Sequence, residues 1–204
     1  SIWIGTSDGV AVYDQPQDVF ESSGFYARRP QIVVEGYLKP LLEGENVTAI
    51  AVDGANRKWI GTLGGGLFLV SADGTEQILI FNSTNSPLLS DNIISLELNQ
   101  NNGELFIGTD KGIMSFMTTS SGGNNSFSKV YAFPNPVKGN YDGLITIRGL
   151  LYETNVKITD LSGHLVYETT SNGGDAVWNG RDLQGKLVNS GIYLVLCTNT
   201  DGSE

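Results

Sequence analysis

A short motif that occurs three times constrains the fold of this chain most strongly. The copies are "IWIGTSDGVAVYD" at 2–14, "KWIGTLGGGLFLVS" at 58–71 and "LFIGTDKGIMSF" at 105–116. Each copy has a pair that ends in an aromatic residue, followed by Ile-Gly-Thr, a turn, a glycine and a second alternating segment. The motif glycines are spaced 56 and 47 residues apart, and a period of about 40 to 50 residues is typical of β-propeller blades. The repeat therefore predicts propeller blades over 1–117.

The glycine-rich stretch "GTLGGG" at 61–66 resembles a loop that holds a phosphate. Such a loop opens a helix and supplies a lysine followed by Ser or Thr, whereas this stretch is followed by the strand-like "GLFLVS". The sister copies place Ser7-Asp8-Gly9 and Asp110-Lys111-Gly112 at the same point, which is ordinary hairpin chemistry. We therefore expect the stretch to turn one strand into the next and to bind no nucleotide.

Further strands between the copies complete the blades. "NVTAIAVD" (46–53) and "DNIISLELN" (91–99) precede the second and third copies, and "EQILIF" (76–81) is expected as an outer strand. The sequence predicts a partial propeller of about two and a half four-stranded blades, with the second blade over 46–81 and the third over 91–117. Because both of its faces are apolar, the strand at 46–53 is expected to be buried on both sides.

The composition changes after the third copy. Residues 118–129, "TTSSGGNNSFSK", have no periodicity and are predicted to be a flexible linker. From 130 to 204, short alternating segments predict an antiparallel immunoglobulin-like β-sandwich of about seven strands. The expected positions in this module are a stiff entry at Pro134 and Pro136, a hairpin turn at Asp160 and Gly163, a core position for Trp178, and inward-facing side chains at Tyr193, Val195 and Cys197.

The motifs of both modules resemble known families. The stretches 47–70 and 88–116 resemble the two-component-regulator propeller repeats of Bacteroidota. "FPNPV" (133–137), "VKITDLSGHLVYE" (156–168) and "VWNGRDLQGKLVNSGIYLV" (177–195) resemble the C-terminal sorting domain of the type IX secretion system and the related domain of flagellar hook-capping proteins. Sorting domains of this kind end with a further basic strand, whereas this chain ends at "CTNTDGSE", so we expect the signal to be incomplete.

The resemblance implies an extracytoplasmic protein, in the periplasm or on the outer-membrane surface. Its first implication is a non-enzymatic scaffold or adaptor that binds other secretion or envelope proteins and a surface glycan. A second is an oligosaccharide-binding sensor domain of a hybrid two-component system, and a third is part of a secreted enzyme with a cleavable sorting domain. The chain opens inside a repeat and without Met, which indicates a piece of a longer protein whose exposed blades self-associate.

Composition excludes some classes of function. The net charge of -10 and pI near 4.5 argue against nucleic-acid binding, which needs a basic face. No apolar run reaches the roughly 20 residues of a membrane-spanning helix, and the single cysteine cannot form an internal disulfide.

The residue pattern points to no catalytic, cofactor-binding or metal site. His164 and Cys197 are the only residues of their types and lack ligand spacing or a nucleophile motif. Oxygens in "DGANR" and "NQNNG" are explained by turn chemistry, and Glu43 and Glu45 form no recognisable glycosidase pair. The remaining group is the local basic cluster of Arg28, Arg29 and Lys39, for which a solvated loop and a small anion or glycan contact both stay open.

Overall fold

The computed structural model describes residues 1–20, 26–34, 36–139 and 141–199. The fold is all-β with antiparallel sheets, and its only helical elements in these ranges are two short 3-10 helices at Pro16–Phe20 and Phe127–Lys129. The chain divides into two compact units, which consist of Ser1–Asn99 with Glu104–Phe116 and of Gln100–Gly103 with Met117–Glu204.

The first unit contains eleven strands in its described part. They are β1 (Ile2–Thr6), β2 (Gly9–Tyr13), β3 (Gln31–Val34), β4 (Tyr37–Pro40), β5 (Val47–Val52), β6 (Lys58–Thr62), β7 (Leu67–Val70), β8 (Gln77–Phe81), β9 (Ile93–Asn99), β10 (Glu104–Thr109) and β11 (Gly112–Met117). The sheet orders are β1-β2, β3-β4, β5-β6-β7-β8 and β11-β10-β9. The four-stranded meander β5–β8 and the sheet β9–β11 lie within the ranges predicted for the second and third blades.

The three motif copies form β-hairpins, as the sequence predicts. β6 pairs with β7 in antiparallel register from Lys58↔Val70 to Gly61↔Leu67, so the glycine-rich stretch is the turn of this hairpin. Gly64 and Gly66 in the turn have φ values of 102° and 90°, a region that side chains disfavour. The stretch opens no helix, and the expectation of a hairpin turn is confirmed.

The prediction that the strand before the second motif copy is buried on both faces is wrong. In β5 only Val47 and Ala51 are buried, while Thr48 and Val52 are exposed. The strands β6 and β7 are instead buried at every residue. The reason lies in the sheet order, because β5 is an edge strand and β6 lies between two neighbours.

Two apolar clusters hold the first unit together. One combines residues of β5–β7 with residues of β9 and β10, including Trp59, Ile93 and Leu105. The other combines residues of β2, β3 and β5–β7, including Val10, Val47 and Ile60. The second blade therefore contributes a buried face to each cluster.

The second unit contains six strands in its described part, against about seven expected for the immunoglobulin-like pattern. They are β12 (Tyr131–Phe133), β13 (Ile145–Arg148), β14 (Asn155–Thr159), β15 (Leu165–Thr170), β16 (Asp175–Trp178) and β17 (Leu194–Thr198). These strands form two antiparallel sheets, with the orders β12-β13-β16 and β15-β14-β17.

The core of the second unit lies between these sheets and includes Trp178, as expected. Trp178 is buried, its Nε1 donates to the Arg181 carbonyl oxygen at 2.7 Å, and its ring meets that of Tyr193 edge-on at 5.3 Å between centroids. Cys197 is half-buried against the same core. Val195 is exposed, contrary to expectation, because β17 is an edge strand and is covered less well than the central strand β14.

The stretch predicted as a flexible linker is partly packed and hydrogen-bonded within the second unit. Thr118 and Ser120 are buried, and Thr118 Oγ1 donates to the Gly103 carbonyl oxygen at 2.7 Å. Further along, the Gly122 amide donates to the main-chain carbonyl oxygen of Gln100, and Phe127 packs on the core of the sandwich. Small polar residues predict flexibility where their hydroxyls and amides find no partners. Here the Thr118 hydroxyl and the Gly122 amide find them, whereas the buried Ser120 hydroxyl has none among the described residues.

No helix in the described part of the chain is long and apolar enough to cross a membrane.

Candidate interaction surface

The threonine of each motif copy closes its hairpin. In all three copies the hydroxyl donates to the carbonyl oxygen of the glycine that begins the next segment, and it accepts a hydrogen bond from an amide within the turn. The donor–acceptor pairs are Thr6–Gly9 at 2.9 Å, Thr62–Gly66 at 3.2 Å and Thr109–Gly112 at 2.9 Å, and the turn amides are those of Asp8, Gly65 and Lys111. The threonine therefore has a structural role in every copy.

The motif glycine makes room for the neighbouring sheet. A Cβ atom at Gly5 would lie 2.5 Å from Val47 Cγ1, and one at Gly61 would lie 2.4 Å from Ile93 Cγ2. Val47 and Ile93 are the first residues of β5 and β9. Val47 and Ile93 thus pack directly over the motif glycine of the preceding sheet, in the space that a side chain at that glycine would occupy.

The aromatic residue two positions before the glycine packs between the second and third blades. Trp59 stacks on Phe81 with ring centroids 6.3 Å apart and meets Phe116 of β11 edge-on at 5.8 Å. Its buried Nε1 has no hydrogen-bond acceptor among the described residues. The ring therefore acts through packing, which explains why Phe106 can take the same position in the third copy.

The first and last sheets of the repeat array expose side chains whose equivalents in the other motif copies are buried between sheets. Ile60 and Ile107 are buried, but the corresponding Ile4 in β1 is exposed. At the other end Phe106 and Ile113 are exposed, as is Met117. Clustered apolar side chains on a protein surface mark sites of association. We call these two surfaces the end faces.

A buried lysine joins the first two motif copies. Lys58 is only 2% exposed, and its Nζ donates to the carbonyl oxygens of Asn56 at 2.7 Å and Ala72 at 2.6 Å. The same nitrogen lies 4.7 Å from the centroid of the Trp3 ring. Burial lowers the pKa of Lys58, while the charges of Asp53 and Asp73 oppose this shift. The two carbonyl oxygens and the Trp3 ring thus hold the ammonium group of Lys58 inside the repeat array.

The basic cluster is largely neutralised in the structure. Arg28 pairs with Asp14, and Arg29 Nη1 lies 3.2 Å from Asp8 Oδ2. The hydrogen bond from Arg28 lowers the pKa of Asp14, so this carboxylate stays charged. Lys39 lies on β4 and is exposed. Because both arginines already bind carboxylates, an anion or glycan contact at this cluster would depend mainly on Lys39.

The two glutamates lie near the turn that follows β4. Glu43 is exposed and its amide donates to the Pro40 carbonyl oxygen at 3.2 Å. The Glu45 carbonyl oxygen accepts from the Gly9 amide at 2.8 Å, and its carboxylate lies against Gly65. The turn therefore accounts for the positions of Glu43 and Glu45.

His164 and Cys197 have the environments of ordinary structural residues. The His164 side chain is 80% exposed, and its Nδ1 lies 2.9 Å from Asp160 Oδ2 in the predicted hairpin turn. Gly163 in that turn has a φ of 84°. Burial raises the pKa of Cys197, which keeps the thiol protonated, whereas a nucleophilic cysteine needs a lowered pKa. No cluster of three or more His, Cys, Asp or Glu side chains that could hold a metal ion occurs in the described residues.

Comparison with known proteins defines the class to which this architecture corresponds. Residues 131–204 match the family described as "Secretion system C-terminal sorting domain". A search of curated proteins gave no match. The chain thus combines the sheets of the repeat array with a segment that matches a secretion-system sorting domain.

The individual protein that this chain resembles over both units is PorZ. The solved structure of PorZ, "an essential bacterial surface component of the type-IX secretion system" of Porphyromonas gingivalis, is 39% identical, with a TM-score of 0.69. The match covers 99% of this chain and 27% of PorZ, so the chain spans about a quarter of that protein. The resemblance to proteins of the type IX secretion system, which the sequence motifs indicate, is therefore confirmed.

Two extracellular domains of Bacteroides thetaiotaomicron regulators also match. The domain of the hybrid two-component system BT3049 is 20% identical with a TM-score of 0.43, over 87% of this chain and 26% of that one. The domain of the one-component system BT4673 is 17% identical with a TM-score of 0.33, over 82% and 27%.

Sequence reasoning missed three features. The buried ion pair in which Arg148 binds Asp175 through two hydrogen bonds of 2.9 and 2.8 Å gave no local signal, because the two residues are far apart in the sequence. The strand β4 was not anticipated either. The burial of Lys58 could have been found, because the sister copies carry Ile2 and Leu105 at the same position.

Proposed function

We propose that this chain is part of a non-enzymatic scaffold or adaptor of the type IX secretion machinery, exposed at the cell surface and acting through protein binding. The observation that carries this proposal is the single continuous match to PorZ, which runs through both units in the same order. The sorting-domain match over 131–204 supports the same association independently.

The motif chemistry agrees with a binding role. The three threonines close hairpins, and Gly5 and Gly61 accept apolar side chains of the next sheet. The motif residues are thus used for shape, and His164 and Cys197 lie in environments unsuited to nucleophilic catalysis. A rigid array of strands that carries loops and exposed faces is a common platform for recognition.

Replacement of the equivalent region of PorZ tests this proposal. A Porphyromonas gingivalis strain would carry a chimaera in which this chain replaces the 27% of PorZ that it matches. We expect the chimaera to restore secretion to a strain that lacks PorZ, and affinity capture from its envelopes to recover secretion components. A chimaera that is surface-exposed at the normal level but captures no envelope protein and restores no secretion would contradict the proposal.

The same strain separates the other candidates. Cleavage of the chimaera by protease added to intact cells indicates the outer surface, and protection indicates the periplasm. Release into the medium without the second unit would favour a cargo enzyme. Saturable oligosaccharide binding by the chain in calorimetry, without protein capture, would favour a sensor domain.

We also propose that the isolated chain self-associates through its end faces. The exposed Ile4 at one end and Phe106 and Ile113 at the other match positions that are buried between sheets elsewhere in the array. Burial of apolar surface stabilises by about 25 cal/mol per Å². Light scattering is expected to give a mass that increases with concentration, and a monomer at all concentrations would contradict this proposal.

A further inference from the structure

Two strand edges of the first unit line a common cleft. β3 pairs with β4 on one side only, and β8 is the last strand of its sheet. In the described ranges neither strand has a second partner strand. The cleft is lined by residues 32–34 of β3, by Thr75 and Glu76, which precede β8, and by Gln77, the first residue of β8.

One end of the cleft is closed by packing. A Cβ atom at Gly74 would lie 3.0 Å from Pro30 Cβ and 2.5 Å from an atom of the Trp3 ring. Gly74 and Pro30 precede β8 and β3, so the two segments touch just before the cleft begins. The cleft therefore has a fixed end from which both strand edges extend.

The edge of β8 has little of the usual protection against strand addition at its start, whereas at its end Asn85 Nδ2 donates to the Ile80 carbonyl oxygen at 3.1 Å and the Asn82 amide donates to Asn85 Oδ1 at 2.8 Å. Its sequence "QILIF" contains no charged residue and no proline. Ile78, Leu79 and Ile80, which continue β8 beyond the cleft-lining residue Gln77, are each about 40% exposed, and Val33 on the β3 side of the cleft is 68% exposed. Proteins normally shield edge strands with charges, prolines or covering segments, because unpaired amides and carbonyls bind further strands.

We propose that this cleft binds an extended segment of a partner protein as an added β-strand, with a lysine or arginine of that segment next to Glu76. Main-chain hydrogen bonds supply affinity in this mode of recognition, and alternate side chains supply specificity. The proposal rests on the protein-binding role proposed above and assigns a site to it.

Charge favours a basic segment. Glu76 is the one ionisable residue among the six that line the cleft, and the chain as a whole has a net charge of -10. Asp73 lies three residues before it and stays charged, because hydrogen bonds from Ser71 and Thr75 lower its pKa to about 2. Opposite charges at a docking surface steer association and select the partner.

Hydrogen exchange with a defined probe tests the inference. The 204-residue chain would be mixed with a capped hexapeptide of sequence KVTVKV, in which valines alternate with lysine or threonine. We expect the peptide to slow amide exchange in residues 31–34 and 77–81. A peptide N-methylated at alternate residues, which lacks one row of donors, is expected to bind at least tenfold more weakly.

Matched charge reversals identify the site. Glu76→Lys is expected to weaken binding of the peptide about fivefold at low salt, and added salt is expected to reduce this difference. Asp142→Lys makes the same change of charge at an exposed position of the second unit and is expected to leave binding unchanged.

Several results would overturn the inference. They are absence of binding at millimolar peptide, protection only outside residues 31–34 and 77–81, equal binding of the N-methylated peptide, and equal effects of the two charge reversals. A PorZ chimaera that carries Glu76→Lys and, at low salt, captures as much envelope protein as the unmodified chimaera would refute this site alone, whereas failure of the unmodified chimaera would refute the scaffold role.

Discussion

Alanine at Gly61 should push two neighbouring blades apart. Gly61 lies in the fully buried strand β6, and the added Cβ would approach Ile93 Cγ2 to 2.4 Å and Ile93 Cβ to 2.8 Å. Both distances are shorter than carbon atoms tolerate, and Ile93 is itself completely buried. The side chain therefore has no space into which it can withdraw, and strand β9 must move.

The expected loss of stability follows from two opposing contributions. Overpacking of a buried site costs about 1–3 kcal/mol, and replacement of glycine by alanine recovers about 0.4–1 kcal/mol through the entropy of the unfolded chain. The net loss for Gly61→Ala is about 1–2 kcal/mol. For a unit of this size it lowers the melting temperature by about 4–8 °C.

Differential scanning calorimetry measures this shift, and hydrogen exchange over 58–70 assigns it to the first unit. Gly108→Ala is the matched control, because its closest neighbour is Ser95 Oγ, the end of a short side chain that can rotate away. We expect the control to change stability by less than about 0.5 kcal/mol. In a double-mutant cycle, Ile93→Ala should partly rescue Gly61→Ala, with a coupling energy of about 1 kcal/mol or more. Equal effects of the two glycine substitutions, or no coupling with Ile93, would refute the inference that Ile93 packs in space that only a glycine at position 61 leaves free.

Three further predictions concern single side chains. Asp175→Ala should destabilise the second unit by about 3–5 kcal/mol in urea denaturation, because it removes the carboxylate that pairs with Arg148, whose side chain is only 14% exposed; replacement of Arg148 and Asp175 together by Met and Leu should cost less. Thr62→Val should cost about 1 kcal/mol in the first unit, since its hydroxyl closes the hairpin, and an unchanged melting temperature would contradict that role. The pKa of Asp73 is lowered to about 2, so the stability that it contributes is present above about pH 4 and is lost as the pH falls to about 2. Asp73→Ala should remove this part of the acid dependence, and an unaltered pH profile of the melting temperature would count against it.

The repeated hairpins could be predicted because their signals are local. A strand, a glycine turn and a second strand follow one another within about 14 residues in each copy, and the threonine bonds lie inside the same segment. The core position of Trp178 was equally predictable from strand alternation.

The failed expectations depend on neighbours that are distant in the sequence. Apolar residues at 47–52 indicate burial, but the exposure of Val52 follows from the place of β5 at the edge of its sheet. Val195 is exposed for a related reason on β17. In the stretch predicted as a linker, Thr118 bonds to Gly103 and Ser121 pairs with Gly173 and Gly174, partners that composition cannot identify.

The buried ammonium of Lys58 provides an intrinsic reporter of blade separation. An acylating reagent or trypsin reaches a lysine only when its amine is accessible, and this one is enclosed by backbone oxygens and the Trp3 ring. Its rate of covalent labelling therefore follows how often the first two repeats open, whereas exposed lysines such as Lys39 label at once. Mass spectrometry of the peptide that contains Lys58 thus measures the free energy of local opening without any engineered probe.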